Sequence, residues 1–411
     1  MLSNIAKRLD VSHFTLLTII VAALGYFVDI FDLLMFSIVR VQSLKDLGVA
    51  EEDLLSTGIL LINTQMAGLL AGGILWGIWG DRKGRVSVLF GSILLYSLAN
   101  IANSFVHDVN QYAVLRFIAG LGLAGELGAG VTLASELLPK KWRGLGTTFI
   151  AAVGVLGATF AAIVADITDW RTAYLIGGGM GLCLLILRMQ VHESGMFNET
   201  KKKKDVKRGD LRTLLRWPML KKYIAVILVG APIWGVVGLL ITFSPEFAKA
   251  FGAGFTPKAG MAVLACYAGL SIGDVFSGLL SQHLKSRRKS VAVFLLVSCG
   301  CILYYLFAPH ATLFAFYAAC FAMGIGTGYW AMFVQMGAEQ FGTNIRATAA
   351  TSLPNMVRGS VIPITASFHA LMPFTGVTTA GLIVMSILIL LAFGAVWTLK
   401  ETFHTDLDYT D

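Results

Sequence analysis

Charged residues are scarce in this chain, and their scarcity excludes a soluble enzyme. Asp, Glu, Lys and Arg together make up 14% of the 411 residues, whereas hydrophobic residues make up 56%. Soluble domains carry roughly 25% charged residues, so the main solvent of this chain must be lipid. One membrane-spanning helix takes about 20 apolar residues. The length therefore leaves room for a dozen helices and short loops, but not for a separate soluble domain.

Motifs for metals and nucleotides are also missing. The five cysteines lie inside apolar runs, without the spacing or the polar neighbours of a metal site. The chain contains no G-x-x-x-x-G-K-[ST] loop, which argues against an ATP-driven pump. The formal G-x-G-x-x-G at residues 120–125 lies inside an apolar span, not between a strand and a helix. We therefore predict no cofactor, no metal and no enzymatic activity.

The net charge of +8 comes largely from one interval of the chain. Ten Lys and Arg residues lie between positions 201 and 222, and no aromatic residues alternate with them to stack on bases. A basic loop between membrane helices explains this interval better than a nucleic-acid interface. We expect contact with the lipid bilayer and no nucleic-acid partner.

Apolar blocks predict six spans, a connector and six further spans. They fall at about 14–39, 54–79, 86–106, 111–138, 144–166, 171–190, 222–249, 258–284, 290–308, 311–338, 347–372 and 376–399. With both termini in the cytoplasm, 25 of the 32 basic residues, including Arg188, lie in cytoplasmic segments and five, including Arg40, lie in the opposite loops. The sequence therefore predicts an all-α integral membrane protein with twelve transmembrane helices in two pseudo-symmetric six-helix bundles and both termini cytoplasmic. The predicted parts are an N-terminal bundle at 1–195, a basic cytoplasmic connector at 196–221 and a C-terminal bundle at 222–411.

Two span junctions repeat one charge pattern. Glu136 and Arg143 are seven residues apart where the fourth span meets the fifth, and Glu339 and Arg346 have the same spacing where the tenth meets the eleventh. The two pairs are offset by 203 residues. An offset of half the chain is typical of a duplicated six-helix unit. We expect both pairs to take part in conformational change.

The short loop after the second span carries a further motif. It reads Gly77-Ile-Trp-Gly-Asp81-Arg82-Lys-Gly84-Arg85. Glycines permit a tight turn, and the Asp81 carboxylate can pair with an arginine as a cytoplasmic latch. This G-x-x-x-D-R-x-G-R pattern resembles the signature loop of the major facilitator superfamily.

Other motifs are similar to particular branches of that superfamily. The E-x-x-P-x-x-x-R-G pattern from Glu136 and the Glu-Ser at 193–194 resemble those of sugar porters and metabolite–proton symporters. The pair Asp29-x-x-Asp32 resembles the D-x-x-D of aromatic-acid–proton symporters, and Gly-Glu126 resembles the G-G-E of metabolite–proton symporters. The resemblance extends over about residues 14–400 and implies gradient-driven transport by alternating access.

Ionisable residues inside the spans carry the functional argument, because a charge in hydrocarbon is costly and must face the protein interior or water. Asp29 and Asp32 share one helix face. Two carboxylates there resist ionising together, as a proton carrier requires. Glu126 is a second candidate proton site. Arg116 and Arg358 keep their charge and can attract an anion. The alternative for all of these, and for Asp274, is internal structural pairing.

Polar and aromatic residues of the C-terminal half are candidates for the substrate site. Arg358 follows Pro354 in a span with two prolines, and broken helices line cavities in transporters. In the family that the chain resembles, the seventh, eighth and tenth helices contribute to the substrate pocket. The additional candidates are Asn355, Tyr267, Tyr329, Trp330 and Gln335, although such aromatic residues more often pack helices together.

We expect a proton-coupled symporter that takes up a small organic anion or metabolite. The alternatives are an exporter or antiporter, or a uniporter of a neutral substrate such as a sugar or drug-like molecule. A non-transporting receptor that keeps the fold is a third possibility. We expect the protein to act as a monomer. We also expect it to be a multi-pass protein of the cell membrane, which in a bacterium is the inner membrane.

Overall fold

A computed structural model describes residues 13–83, 85–126, 143–188, 216–217, 219–308 and 310–403. Within these ranges the description leaves out the side chains at 13–15, 80–86, 143–149, 151–152, 343–347 and 350–351. The regular elements of the described residues are all helical, and no β-strand occurs among them. The helices are α1 His13–Asp46, α2 Leu54–Lys83, α3 Arg85–Asn103, α4 Val109–Leu123, α5 Arg143–Ile167, α6 Trp170–Arg188, α7 Met219–Gly235, α8 Ser244–Ala250, α9 Ala259–Leu284, α10 Arg287–Phe307, α11 Leu313–Thr327, α12 Trp330–Glu339, α13 Thr343–Gly359 and α14 Val361–Thr398.

Eight helical segments of the described residues are long and apolar enough to cross a membrane, judged by length and composition. Two shorter apolar helices, Ser87–Asn103 and Val153–Ile167, accompany them. The predicted all-helical membrane fold is therefore confirmed. The twelve spans and the cytoplasmic termini stay predictions.

Local chemistry explains where several helices begin and bend. The Asp108 side chain accepts from Gln111 N at 2.9 Å at the start of α4, and Ser286 accepts from Lys289 N at 3.1 Å at the start of α10. These side chains satisfy N–H groups that a helix leaves unpaired at its N-terminus. Gly376 interrupts α14 with a φ of +79°. A positive φ favours glycine, and this kink separates the predicted eleventh and twelfth spans.

The described chain divides into two compact units. The first comprises residues 1–35 and 67–209, and the second comprises residues 36–66 and 210–411. Helices α1 and α2 therefore contribute to both units. The prediction put all of residues 1–195 in one bundle, whereas residues 36–66 group with residues 210–411. The division into two six-helix bundles stays a prediction.

In the first unit, α3 packs against both α4 and α6. Helix α2 approaches α4 through two glycines four residues apart. A Cβ atom at Gly68 would overlap the carbonyl oxygen of Phe117, and one at Gly72 would overlap that of Leu121. Small residues let membrane helices approach this closely without a hydrophobic driving force between them.

In the second unit, α9 packs most extensively against α11. Gly269 and Gly273 lie against the carbonyl oxygens of Phe321 and Ile325, so a Cβ atom at either glycine would overlap the neighbouring backbone. These two glycines follow the pair in α2 by 201 residues. A duplicated unit would produce such a repeated helix contact.

Helical hydrogen bonding is also interrupted where α4 ends and where α11 meets α12. Helix α4 ends at Leu123, and a turn at residues 124–125 follows. There the Trp76 side chain donates to the Leu121 carbonyl at 2.6 Å. Helix α11 ends at Thr327, and α12 begins at Trp330. The Asp274 carboxylate accepts from Ala331 N at 3.0 Å. In both places a side chain replaces a lost backbone partner, as membrane helices require at breaks.

The segment after α14 closes over the start of α10. The Glu401 carboxylate accepts hydrogen bonds from the Ser286 hydroxyl and, at 3.0 Å, from Arg287 N. Partial burial raises the pKa of Glu401, but these hydrogen bonds lower it further, so the pKa lies below its ordinary value. Glu401 therefore stabilises this helix start in its ionised form.

Candidate functional site

Two carboxylates of α1 lie inside the first unit. Asp29 and Asp32 are 0% and 2% exposed, and their spacing puts both on one helix face. Gly177 of α6 lets the Asp32 side chain approach, since a Cβ atom there would lie 2.5 Å from Asp32 Oδ1. The side chains of Arg116, Asp29 and Asn100 lie close enough to Asp32 to influence its charge. The structure thus brings a predicted acidic pair and a predicted arginine into one buried group.

Aromatic residues hold Arg116 in place on α4. The residue is fully buried, its Nη1 donates to the Tyr174 hydroxyl at 3.4 Å, and its guanidinium lies 5.6 Å from the centre of the Tyr174 ring. The hydroxyls of Tyr112 and Tyr174 are 2.6 Å apart, and Trp170 packs edge-on against Tyr174. Cation–π contact and charge-assisted hydrogen bonding both stabilise a guanidinium out of water.

Glu126 pairs with an arginine that the sequence analysis assigned to a cytoplasmic segment. Arg188 Nη1 donates to Glu126 Oε2 at 2.9 Å, and Nη2 contacts the other carboxylate oxygen. Both residues are 2% exposed. A Cβ atom at Gly25 of α1 would overlap this pair. The predicted proton site is therefore one half of a buried, two-point ion pair. The partners are 62 residues apart, and no sequence signal links them.

In the second unit, Arg358 is 1% exposed on α13 and Asn355 lies one turn before it, also buried. The Arg358 guanidinium lies 5.9 Å from the centre of the Trp234 ring on α7. Tyr329, in the break between α11 and α12, donates from its hydroxyl to the Val229 carbonyl at 3.0 Å. This arrangement places a buried cation beside polar and aromatic groups, as a site for a small anion requires.

The remaining substrate candidates have different surroundings. Tyr267 is buried on α9. Trp330 is half-buried and packs on Phe333 with ring centres 5.3 Å apart. Gln335 is exposed and donates to Glu339 Oε1 at 3.1 Å. Gln335 therefore belongs to an ion-pair network at the end of α12.

That network is centred on Glu339, one of the predicted latch residues. Arg287 Nε and Nη2 donate to its two carboxylate oxygens at 2.6 and 2.9 Å, and the Thr402 hydroxyl donates at 2.7 Å. Glu339 was predicted to act together with Arg346, whose side chain lies outside the described part of the chain. The structure shows Arg287 as a partner that the spacing argument missed.

Most other predicted latch residues fall outside the description. Gly77 lies in α2, with open space where a Cβ atom would stand. Gly84 and Glu136 are outside the described residues, and Asp81 is described only in its backbone. Arg82, Arg85 and Arg143 are likewise described only in their backbone.

The second unit contains a further buried ion pair that the sequence analysis missed. Arg40 of α1 is fully buried, and its Nη2 lies 2.6 Å from Glu246 Oε1 on α8. Its Nη1 donates to the Leu54 carbonyl at 3.2 Å, and its guanidinium lies 4.5 Å from the centre of the Phe243 ring. Gly58 of α2 leaves room for the arginine stem. Because Arg40 and Glu246 are 206 residues apart, no local pattern announces the pair.

Within the described part of the chain, no group of three His, Cys, Asp or Glu side chains could hold a metal ion. Comparison with known proteins identifies the family of the chain. The profile of the Major Facilitator Superfamily matches residues 22–377. The chain belongs to this superfamily. It is therefore a multi-pass membrane transporter with a small-molecule substrate, and not an enzyme.

Relatives within the superfamily include a Haemophilus influenzae protein named for metabolite transport. It is 29% identical over 82% of this chain and 84% of its own length. A niacin transporter of Acinetobacter baylyi is 31% identical over 44% of this chain and 41% of the relative. A 4-hydroxybenzoate transporter of Pseudomonas putida is 31% identical over 33% and 32%. The last two matches span less than half of each protein.

The fold of this superfamily member also resembles a solved structure. The crystal structure of a D-xylose-proton symporter has a TM-score of 0.72 to this chain at 18% sequence identity, and the match covers 95% of this chain and 99% of that one. At this identity the likeness supports the fold alone.

Proposed function

We propose that this transporter is a proton-coupled symporter that takes up a small organic anion with a single carboxylate on a ring. The observation that carries the proposal is the buried group in the first unit. Three carboxylates and two guanidinium groups, all 2% exposed or less, lie together there. They are Asp29, Asp32, Glu126, Arg116 and Arg188.

The balance of charge in this group supports proton binding. If all five side chains were ionised, one negative charge would lack compensation in a site removed from water. Burying such a charge is expensive, and binding one proton removes it. Because Arg188 is bonded at two points to Glu126, the proton is expected at Asp29 or Asp32.

Cationic groups in both units support an anionic substrate. Arg116 and Arg358 are each at most 1% exposed and stay charged at any working pH. Niacin and 4-hydroxybenzoate, after which two relatives are named, both have one carboxylate on an aromatic ring. Trp234, beside Arg358, offers a ring on which such a substrate can stack.

Transport is proposed to proceed by alternating access of a monomer, in a bacterial inner membrane with both termini in the cytoplasm. Protonation of the α1 carboxylates from outside would permit anion binding, and deprotonation inside would favour release. The loop from Gly77 to Arg85 and the Glu–Arg pairs at the span junctions would control the cytoplasmic side. These roles follow the proposed topology.

Paired substrates test the charge requirement. Nicotinate has a carboxylate group where nicotinamide has an amide group, and the two molecules are otherwise the same. Uptake of each is measured in proteoliposomes with an inward proton gradient. We expect accumulation of nicotinate and not of nicotinamide, with Arg116→Ala and Arg358→Ala reducing nicotinate affinity. Equal handling of the two by the wild type would contradict the organic-anion proposal and favour the neutral-substrate alternative.

The coupling residues are tested in the same vesicles. Asp29→Asn and Asp32→Asn should abolish gradient-driven accumulation while exchange of labelled for unlabelled substrate at equal pH stays measurable. Asn keeps the size and polarity of Asp but cannot release a proton. Accumulation at wild-type levels by both variants would remove the α1 carboxylates from the coupling role.

A further inference from the structure

Helix α3 has a polar face that the proposed function does not use. Tyr96, Ser97, Asn100 and Asn103 are all 0% exposed. Their spacing places them along one side of the helix, and α3 packs against α4 and α6. An apolar face would pack these helices at lower cost, because burying polar groups is unfavourable unless they find partners.

Several of these polar groups lack protein partners in the described part of the chain. The Tyr96 and Ser97 hydroxyls and both amide atoms of Asn103 are buried without a hydrogen bond to any described residue. Leaving such a group unsatisfied costs about 1–3 kcal/mol. Polar atoms clustered in this way are normally satisfied by water. The polar face of α3 can therefore form a row of hydrogen-bonding groups inside the first unit.

The polar face meets both groups of buried carboxylates. The Tyr96 side chain lies within electrostatic range of Glu126 and Arg188, and also of Asp29 and Asp32. One turn further along α3, Asn100 lies beside Asp32. A Cβ atom at Gly122 of α4 would lie 2.6 Å from Tyr96 N, so Tyr96 packs against the stretch of chain that leads to Glu126. The Tyr96 side chain is therefore close to the Glu126–Arg188 pair and is also influenced by the α1 carboxylates.

Glycines on the neighbouring helices leave room for this face. A Cβ atom at Gly181 of α6 would overlap the Ser97 hydroxyl and lie 3.0 Å from the Tyr96 ring. Gly177 on the same helix faces Asp32, and Gly25 of α1 faces the Glu126–Arg188 pair. In contrast, a Cβ atom at Gly179 would meet nothing within 4 Å. Glycine is thus required where α6 faces the polar groups.

We propose that the polar face of α3 is a proton relay that joins the α1 carboxylates to Glu126, with the Tyr96 hydroxyl as its central member. This inference rests on the proposed proton coupling. In one transfer, the O–H bond of a protonated Asp29 or Asp32 breaks and its proton passes through water to the Tyr96 oxygen, since the Tyr96 hydroxyl has no hydrogen bond to a described residue. The Tyr96 O–H bond breaks in turn, and that proton passes, again through water, to form an O–H bond with the Glu126 carboxylate.

One proton moves in this step, and no group is oxidised or reduced. Tyr96 ends neutral, and rotation of its O–H bond restores the starting arrangement. Protonation removes the negative charge of Glu126 and weakens its attraction to Arg188. Arrival of the proton would thus open an ion pair that joins the ends of two helices, which links proton movement to conformational change.

Removing one hydroxyl tests the relay. Tyr96→Phe deletes the relaying oxygen and keeps the ring, and Tyr305→Phe is the matched control, since its buried hydroxyl bonds the Leu240 carbonyl in the second unit. Positioned proton transfer contributes roughly 10²-fold or more to a rate. We therefore expect Tyr96→Phe to slow gradient-driven uptake about a hundredfold while equal-pH exchange stays within about twofold. Tyr305→Phe should leave both rates near wild type.

Three outcomes would overturn the relay. Gradient-driven uptake by Tyr96→Phe at the wild-type rate would overturn the relay alone. Wild-type protein that ignores a proton gradient would overturn the proposed function as well, so the two failures are distinguishable. If Tyr96→Phe loses both exchange and accumulation at an unchanged melting temperature, Tyr96 acts in substrate translocation. That result would also overturn the relay.

A pair of glycine variants tests the same path without replacing any polar side chain. Gly181→Ala would push a methyl group against Ser97, whereas Gly179→Ala places the same group in open space two residues away. We expect only Gly181→Ala to reduce accumulation selectively over exchange. Equal behaviour of the two variants would contradict the assigned path. Melting temperatures confirm that each variant is folded.

Discussion

The buried ion pair between Glu126 and Arg188 makes a quantitative prediction about stability. With both residues 2% exposed and two contacts between them, their attraction is about 4 kcal/mol at an effective dielectric constant near 20. Neutralising one partner also leaves the other charge buried and uncompensated. Such single removals cost roughly 3–5 kcal/mol, whereas removing both charges together is often nearly neutral.

A double-mutant cycle measures this difference. The free energy of unfolding is determined by denaturant titration in detergent micelles for Glu126→Gln, Arg188→Met and the double variant. We expect each single variant to lose about 3–5 kcal/mol and the double variant to lose far less than the sum of the two. The exposed pair Lys45–Glu51, 2.6 Å apart, is the matched control, and Lys45→Met should cost under about 1 kcal/mol.

The cycle can refute the structural reasoning. Additive losses in the double variant would mean that the two side chains do not interact in the folded protein. Single-variant losses as small as that of Lys45→Met would mean that water reaches the pair. Either result would also remove the physical basis for an ion pair that opens on protonation.

Three further predictions concern other sites. Arg358→Ala should weaken carboxylate binding about 10- to 150-fold, because a charge-assisted hydrogen bond is worth roughly 1.5–3 kcal/mol; titration calorimetry would check this, and unchanged binding would make Arg358 structural. Asp274→Leu should lower the free energy of unfolding by about 1–3 kcal/mol by leaving Ala331 N unsatisfied, whereas Asp274→Asn keeps an acceptor and should lose less; equal losses would contradict the capping role. Because the pKa of Glu401 is lowered in the folded protein, its contribution to stability should be present above the ordinary carboxylate pKa and lost as pH falls through the lowered value. Melting temperatures of wild type and Glu401→Gln should therefore converge at acid pH, and a constant difference would refute this.

Composition and hydrophobic blocks were enough to predict the class of fold. Scarce charge and long apolar runs indicated a helical membrane protein, and the described residues are all helical with eight membrane-capable segments. The motif at Gly77–Arg85 indicated the superfamily, which the family match confirms. Some boundaries were also informative, since Gly376 separates two spans that the helix α14 joins. These features depend on local sequence, and local sequence is what hydropathy and turn chemistry report.

Pairings between distant residues could not be predicted in this way. Arg188 was counted with the cytoplasmic segments, but its side chain turns inward to Glu126, 62 residues away. Arg40 was likewise placed in a loop, and the structure buries it against Glu246. A basic residue at a helix end has the same local pattern whether its side chain points to water or to the protein. Only the packing of other helices decides between these outcomes.

The break between α11 and α12 was missed for a related reason. The tenth apolar block runs through Gly328 and Tyr329 without a proline or a charge, so hydropathy predicts one continuous helix. The break is stabilised by the Asp274 carboxylate from α9. Sequence analysis identified Asp274 as a costly intramembrane charge, but its partner became evident only from the structure.

Direct measurement of proton movement with substrate tests the central claim. A pH-sensitive dye is enclosed in proteoliposomes at equal internal and external pH, the membrane potential is clamped at zero, and a ring carboxylate such as nicotinate is added outside. We expect internal acidification that is fast with wild-type protein and falls to the rate of protein-free vesicles with the double variant Asp29→Asn/Asp32→Asn. Substrate entry by the wild type without acidification above the protein-free rate would contradict proton symport.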